Sequence, residues 1–186
     1  LASMSHEIRT PLNGVIGFTD LLKKTNLNAL QRQYVENANA SGHSLLTIID
    51  DILDFSKIEA DMFELEMIPT DLFNVFQLAI ELIKHTAEEK NLELQLNYDT
   101  AMPRYVIVDP FRLQQILLNL LGNAVKFTEK GRIELAIEYE RREYSQGLYR
   151  ISVKDTGIGM NKEHLQKLFK PFSQADMSTS RKFGGT

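Results

Sequence analysis

Residues 29–60 carry an unbroken apolar seam at helical spacing: Ala38, Ser41 or Gly42, Leu45, Ile48 or Ile49, Ile52, Phe55, then Glu59. A stripe that returns every three to four residues over this length commits the segment to one long helix. Residues 1–24 show a second stripe, through Ile8, Leu12, Val15 or Ile16, and Leu22, and the polar turn "TNLN" joins the two. A hairpin of this kind cannot bury both stripes alone. Pairing two hairpins into a four-helix bundle solves the problem, so the expectation is a homodimer through residues 1–60. Small Gly42 and Ser41 among larger seam residues favour that reading over a hairpin packed on its own globular domain.

The pattern changes near residue 62. "MFELEMIPTDL" alternates like a strand, Pro69 punctuates it, and Thr70 or Asp71 can cap a new helix. Beyond it the spacing predicts a helix at 71–90, strands at 92–98 and 105–108, and a helix at 110–127. Strands at 131–141 and 148–154 and a short helix from 161 follow. Strands and helices mix without regular βαβ alternation. The second half therefore reads as an α+β sandwich with one mixed sheet under a layer of helices. The division expected is 1–66 for the hairpin domain and 67–186 for the sandwich.

Composition narrows the classes. A net charge of −4 and scattered basic pairs such as Lys23–Lys24 and Arg141–Arg142 argue against a nucleic-acid binder. The absence of cysteine excludes a disulfide scaffold and thiol chemistry. No apolar run approaches the ~18 residues of a membrane span, so no membrane contact by these residues is expected. Both ends read as cut from something longer, starting within a helical pattern and stopping at a glycine turn.

Three constellations in the second half can carry chemistry. In "LLNLLGNAVKFTEKG", Asn119 and Asn123 stand at i and i+4 on one helical face, with Lys126 at i+7. Amide oxygens suit a hard cation such as Mg²⁺, and the lysine supplies charge for phosphates. "ISVKDTGIGM" is a β-branched strand ending in Asp155, expected as a buried carboxylate able to accept from an amino group such as that of adenine. Gly157 and Gly159 would let the backbone approach a ligand closely. "LFKPFSQAD" places Phe169 and Phe172 around Pro171, and "FGGT" adds Gly184 and Gly185, which suggests a lid. Neither a Walker loop nor a dinucleotide fingerprint is present.

The first helix holds an oddity: "SMSHEIRTPLNGV" sets His6 one turn before Pro11, in a helix the proline should disturb. A zincin reading fails, because Thr10 stands where HExxH needs its second histidine.

Taken in order, these motifs resemble the core of a sensor histidine kinase of two-component signalling, across essentially all of the chain. "SHEIRTPLNGVIGFTDLL" is similar to that family's phosphoacceptor box and "NLLGNAVKFT" to its asparagine box. "DTGIGM" resembles its first glycine box, "LFKPFSQAD" its phenylalanine box, and "DDILDFSKIEA" the helix ending of hybrid kinases that carry extra receiver domains. The second glycine box of the family continues past "FGGT" with further glycines and a helix, and the sequence ends at its start.

The resemblance implies a dimerisation and phosphotransfer hairpin followed by a nucleotide-binding domain of GHKL (Bergerat) type. It implies ATP and Mg²⁺, with the metal at Asn119 and Asn123. It also implies a homodimer, a response-regulator receiver as partner, and a cytoplasmic portion of a membrane-anchored parent. His6 would attack the γ-phosphate, Glu7 would orient and deprotonate the imidazole, and the phosphoryl group would pass to a receiver aspartate. An unperturbed imidazole, with pKa about 6.5, is largely neutral and hence nucleophilic near pH 7. Hydrolytic relatives place a glutamate where Asn119 stands, and an amide cannot activate water, which favours kinase over ATPase. Glu7 and Thr10 also match the spacing linked to receiver phosphatase activity. A nucleotide-binding scaffold without transfer is the alternative. His43, His85 and His164 read as structural or surface residues.

Overall fold

The computed structural model describes residues 2–142, 147–162 and 165, with the side chains of residues 2–6 outside the description. It divides into two compact units, residues 1–64 and 65–186.

The first unit is a helical hairpin of α1 (Ala2–Lys23) and α2 (Ala29–Glu59). Helix α1 runs through Pro11 without interruption. The turn hands over to α2 by a reciprocal capping box: the Asn28 side chain accepts from the Gln31 N–H at 2.8 Å, and the Gln31 side chain accepts from the Asn28 N–H at 3.0 Å. Two otherwise orphaned donors are thereby satisfied.

The seam meets α1 at Gly42, where an added Cβ would lie 2.9 Å from Ile16 Cγ1. Gly42 therefore serves close approach of the chain's own two helices, rather than the contact between hairpins for which its size first argued. Ser41 is exposed and donates to the Asn37 carbonyl. Ile8, Val15, Phe18, Leu22, Leu45 and Ile52 remain exposed. One hairpin leaves much of its apolar surface uncovered.

The second unit contains β1 (Ile68–Asp71), α3 (Leu72–Glu89), β2 (Leu92–Tyr98), β3 (Tyr105–Val108), α4 (Pro110–Phe127), β4 (Gly131–Arg141) and β5 (Gly147–Asp155). A mixed sheet forms in the order β2-β4-β5, with β2 parallel and β5 antiparallel to β4. The remaining strands, β1 and β3, form a separate antiparallel ribbon rather than extending this sheet. Both helices bury one face in a shared core with the sheet, centred on Phe76, Leu117, Leu121, Ile133 and Leu135.

Aspartates start both helices. Asp71 Oδ1 accepts from the Asn74 N–H at 3.3 Å. Asp109 accepts from the Arg112 N–H on Oδ1 and from the Glu66 N–H on Oδ2, each at 3.0 Å. Pro110 follows Asp109 at the first helical position, where its missing N–H costs nothing. Among the described residues no helix is long and apolar enough to cross a membrane.

Candidate functional site

Helix α4 is two-faced. Leu117, Leu121, Ala124 and Val125 are buried, whereas Asn119 and Asn123 are exposed a turn apart and Lys126 is half-buried. The ammonium of Lys126 lies 5.3 Å from the centroid of the Phe127 ring. The two amides thus face outward, where a ligand can reach them, and Leu117 and Leu121 lie on the core-facing side.

The end of α4 and the loop after β5 are joined through backbone groups. Phe127 O accepts from the Ile158 N–H at 3.3 Å. Gly157 sits so close that an added Cβ would be 2.4 Å from the same oxygen and 2.8 Å from Asp155 Oδ1. Only glycine fits there. Gly159, by contrast, faces open space and adopts φ +65°, a conformation that favours glycine on backbone grounds.

Asp155 Oδ1 accepts from the Gly157 N–H at 2.8 Å, which orients the carboxylate. The side chain is exposed, not buried as the sequence suggested. Asp155 is the last residue of β5, beyond Val153, the last β5 residue packed against the core. It is a solvent-exposed carboxylate at the end of its strand.

Two features of this region were not legible in the sequence. Gly131, at φ +115°, leaves the space that Thr156 Oγ1 occupies. That hydroxyl accepts from the Arg132 N–H at 3.1 Å and so fastens the glycine loop to the start of β4. Lys90, the C-cap of α3, extends its Nζ to Val125 O at 2.7 Å and Lys126 O at 3.2 Å. A lysine after two glutamates reads as surface charge, so no local signal could have placed it here.

Chemically, the region offers neutral oxygens from two amides, a cation, an oriented carboxylate, and glycines that permit close approach. That set supplies polar groups of the kinds that bind a nucleotide. Among the described residues no group of three His, Cys, Asp or Glu converges. Amide oxygens such as those of Asn119 and Asn123 are of the type that suits a hard cation such as Mg²⁺, which commonly keeps water and phosphate oxygens as ligands. Phe169, Phe172, Gly184 and Gly185 lie outside the described residues, as does His164.

In the hairpin unit, His6 is in the second turn of α1, and Glu7 and Thr10 are exposed on the same helix. Arg9 Nη2 bridges to Asp50 Oδ1 of α2 at 2.7 Å. Close by in sequence, partial desolvation and then the neighbouring carboxylates of Asp54 and Asp50 raise the carboxyl of the exposed Asp51 above its usual range. His85 is exposed, 3.5 Å from Glu89 Oε1, and His43 is exposed.

Comparison with known proteins places both units. Residues 1–61 match the His Kinase A (phospho-acceptor) domain. Residues 108–186 match the "Histidine kinase-, DNA gyrase B-, and HSP90-like ATPase" domain. A phospho-acceptor hairpin followed by an ATPase-type sandwich is the class these elements define. The chain belongs to the histidine kinase family.

It is 47% identical over 186 residues to the signal transduction histidine-protein kinase BarA of Escherichia coli (strain K12), covering all of this chain and 20% of that protein. The chain thus spans about a fifth of that relative's length. A crystal structure of full-length ShkA in complex with AMPPNP superimposes with TM-score 0.75 at 38% identity, over 96% of this chain and 38% of that one. Histidine kinase ThkA in complex with the response regulator TrrA superimposes with TM-score 0.58 at 26% identity, over 93% of this chain and 49% of that one.

Proposed function

We propose that the chain is the catalytic core of an ATP-dependent protein-histidine kinase that phosphorylates itself on His6. The observation carrying this reading is one chain holding both halves of the reaction. A histidine with an adjacent carboxylate stands on a phospho-acceptor helix, and an amide–lysine–carboxylate site stands on an ATPase-type domain. The AMPPNP complex of the similar ShkA structure supports ATP as the substrate.

In this reading Asp155 accepts a hydrogen bond from the adenine amino group, and Lys126 balances the phosphate charge. Bound Mg²⁺ would be held by Asn119 and Asn123 and would neutralise charge on the phosphates. A ring nitrogen of His6 forms a bond to the γ-phosphorus as the bond to the ADP oxygen breaks. Glu7 takes up the proton that the imidazole loses. Catalysis of this kind rests on positioning and charge stabilisation. With an amide at Asn119 in place of a carboxylate, that position offers no base to deprotonate water, so the phosphoryl group is kept for His6.

The acceptor that follows is an aspartate of a receiver domain, a reading supported by the ThkA–TrrA complex. The exposed apolar faces of α1 and α2 support a homodimer through residues 1–60. Thr10, one turn from His6 and exposed, supports a second activity, hydrolysis of the receiver's aspartyl phosphate. Incubation with γ-labelled ATP and Mg²⁺ tests the main reading. Acid-labile, base-stable label on the protein is expected, and label absent under conditions of saturating nucleotide overturns it.

A further inference from the structure

The last turn of a helix leaves four carbonyls without partners inside the helix. In α4 those of Ala124, Val125, Lys126 and Phe127 are all satisfied, by three different parts of the second unit. Ala124 O accepts from the Thr128 N–H at 3.1 Å, within the helix's own exit. Val125 O and Lys126 O accept from Lys90 Nζ. Phe127 O accepts from the Ile158 N–H of the glycine loop. The end of α4 is therefore a junction of α3, α4 and the loop that follows Asp155.

Lys90 is held at that junction by its own helix. It is the C-cap of α3, with its N–H on Ala87 O and Glu88 O, and Asn91 follows in the left-handed region at φ 54°. That cap ends α3 and turns the chain into β2, leaving the half-buried Lys90 stem directed at the end of α4. A cation there also meets the negative end of the α4 dipole. Asn123 and Lys126 belong to the same last turns, and Gly157 leaves no slack against Phe127 O. A small shift of this turn would move the lysine, the amide and the Asp155 loop together.

We propose that Lys90 is a positioning residue for the nucleotide site, its ammonium fixing the last turn of α4 so that Phe127 O latches the glycine loop. The proposal rests on the nucleotide-site reading above, and the test separates the two. Lys90→Met keeps the stem and removes the cation, and Lys90→Arg restores a donor.

Calorimetric titration with AMPPNP and Mg²⁺ should show affinity weakened on the order of tenfold in Lys90→Met, the scale of a partly buried cation at a helix C-terminus. Amide exchange at Ile158 should accelerate in the same variant, while core amides such as that of Leu121 keep their protection. Lys90→Arg should recover most of both. Unchanged Ile158 exchange in Lys90→Met overturns the proposal, whatever happens to affinity. Loss of Leu121 protection in step with Ile158 also overturns it, since the lysine would then serve folding alone. Should the wild-type chain fail to bind AMPPNP, the nucleotide reading falls, and Ile158 exchange still decides the latch.

Discussion

Asn39 of α2 donates through Nδ2 to the hydroxyl of Thr19 on α1 at 2.8 Å, in the buried interface of the hairpin. The same Nδ2 reaches Asp20 Oδ1 at 2.9 Å, and Lys23 Nζ donates to Asn39 Oδ1 at 2.6 Å. The Thr19 hydroxyl in turn donates to Ile16 O at 2.8 Å. A satisfied polar layer between two apolar stripes fixes which turn of α1 faces which turn of α2. Asn39→Ala breaks it and should destabilise the hairpin by about 1–3 kcal/mol. Asn39→Leu should cost less stability but loosen the register. Denaturant unfolding followed by helical circular dichroism measures the first effect, and amide exchange along α1 measures the second.

The glycine loop makes a sharper distinction. Gly157→Ala places a Cβ 2.4 Å from Phe127 O, a backbone atom that cannot move without displacing α4. Nucleotide affinity should fall by about tenfold, because relieving that overlap moves the glycine loop away from α4, at the cost typical of an overpacked site. Gly159→Ala meets no neighbour and pays only for its positive φ, about 1 kcal/mol of local stability. Asp155→Asn should weaken binding of adenine nucleotides more than that of guanine nucleotides. Calorimetry on the three variants with both nucleotides checks the ordering.

Local pattern went a long way here. Helices expected at 71–90 and 110–127 stand at 72–89 and 110–127, because apolar periodicity and aspartate caps act over a few residues. What pattern missed depends on partners far along the chain. Pairing of Pro69 with Ile107 in a separate ribbon cannot be read from either strand alone. Gly42 was read as a seam between chains because spacing does not say which helix faces it, and Ile16 does. Asp155 was expected to be buried because β-branched residues precede it, yet core cover ends with Val153. Lys90 caps carbonyls 35 and 36 residues away, a relationship that no window of sequence contains.

Acid should act in opposite directions through two sets of carboxylates. Asp71 is held below the usual carboxylate range by its bond to Arg104, and Asp109 by the backbone N–H groups of Arg112 and Glu66. Their stabilisation is complete above the unfolded value and is lost as pH falls through the depressed folded values. Asp51, though exposed, is raised by partial desolvation and by Asp54 and Asp50, so its ionised form opposes folding at neutral pH. Protonating Asp51 as pH falls through the raised value removes its own opposition to folding. Asp51→Asn should therefore stabilise the hairpin at pH 7 and flatten its response to mild acid, whereas Asp109→Asn should destabilise the second unit at pH 7. Thermal unfolding from pH 7 to pH 4 distinguishes the two.

Ile52 is 38% exposed on a hairpin that leaves several large apolar side chains uncovered. In a four-helix dimer that position would be buried, and a charge there would be left without solvent or partner. Ile52→Asp should yield monomers by light scattering, with nucleotide affinity of the second unit preserved. Unchanged dimer mass in this variant would move the interface elsewhere.

His6 and Thr10 should separate two activities that share one helix. His6→Gln removes the proposed nucleophile but leaves Asn119, Asn123, Lys126 and Asp155 in place, so phosphoprotein should vanish while AMPPNP affinity stays within about twofold of wild type, since only differences above roughly 1 kcal/mol would signal lost contacts. Thr10→Ala keeps the imidazole and Glu7, so phosphohistidine should still form. The hydroxyl it removes is the group that would hold water against a receiver's aspartyl phosphate, and dephosphorylation should slow by about 10²-fold, the usual worth of a positioned polar group. Loss of label in Thr10→Ala with dephosphorylation intact would reverse the division of labour along α1. Acid-labile label persisting in His6→Gln would move the phosphoacceptor to another residue, and mapping the labelled peptide would then identify it.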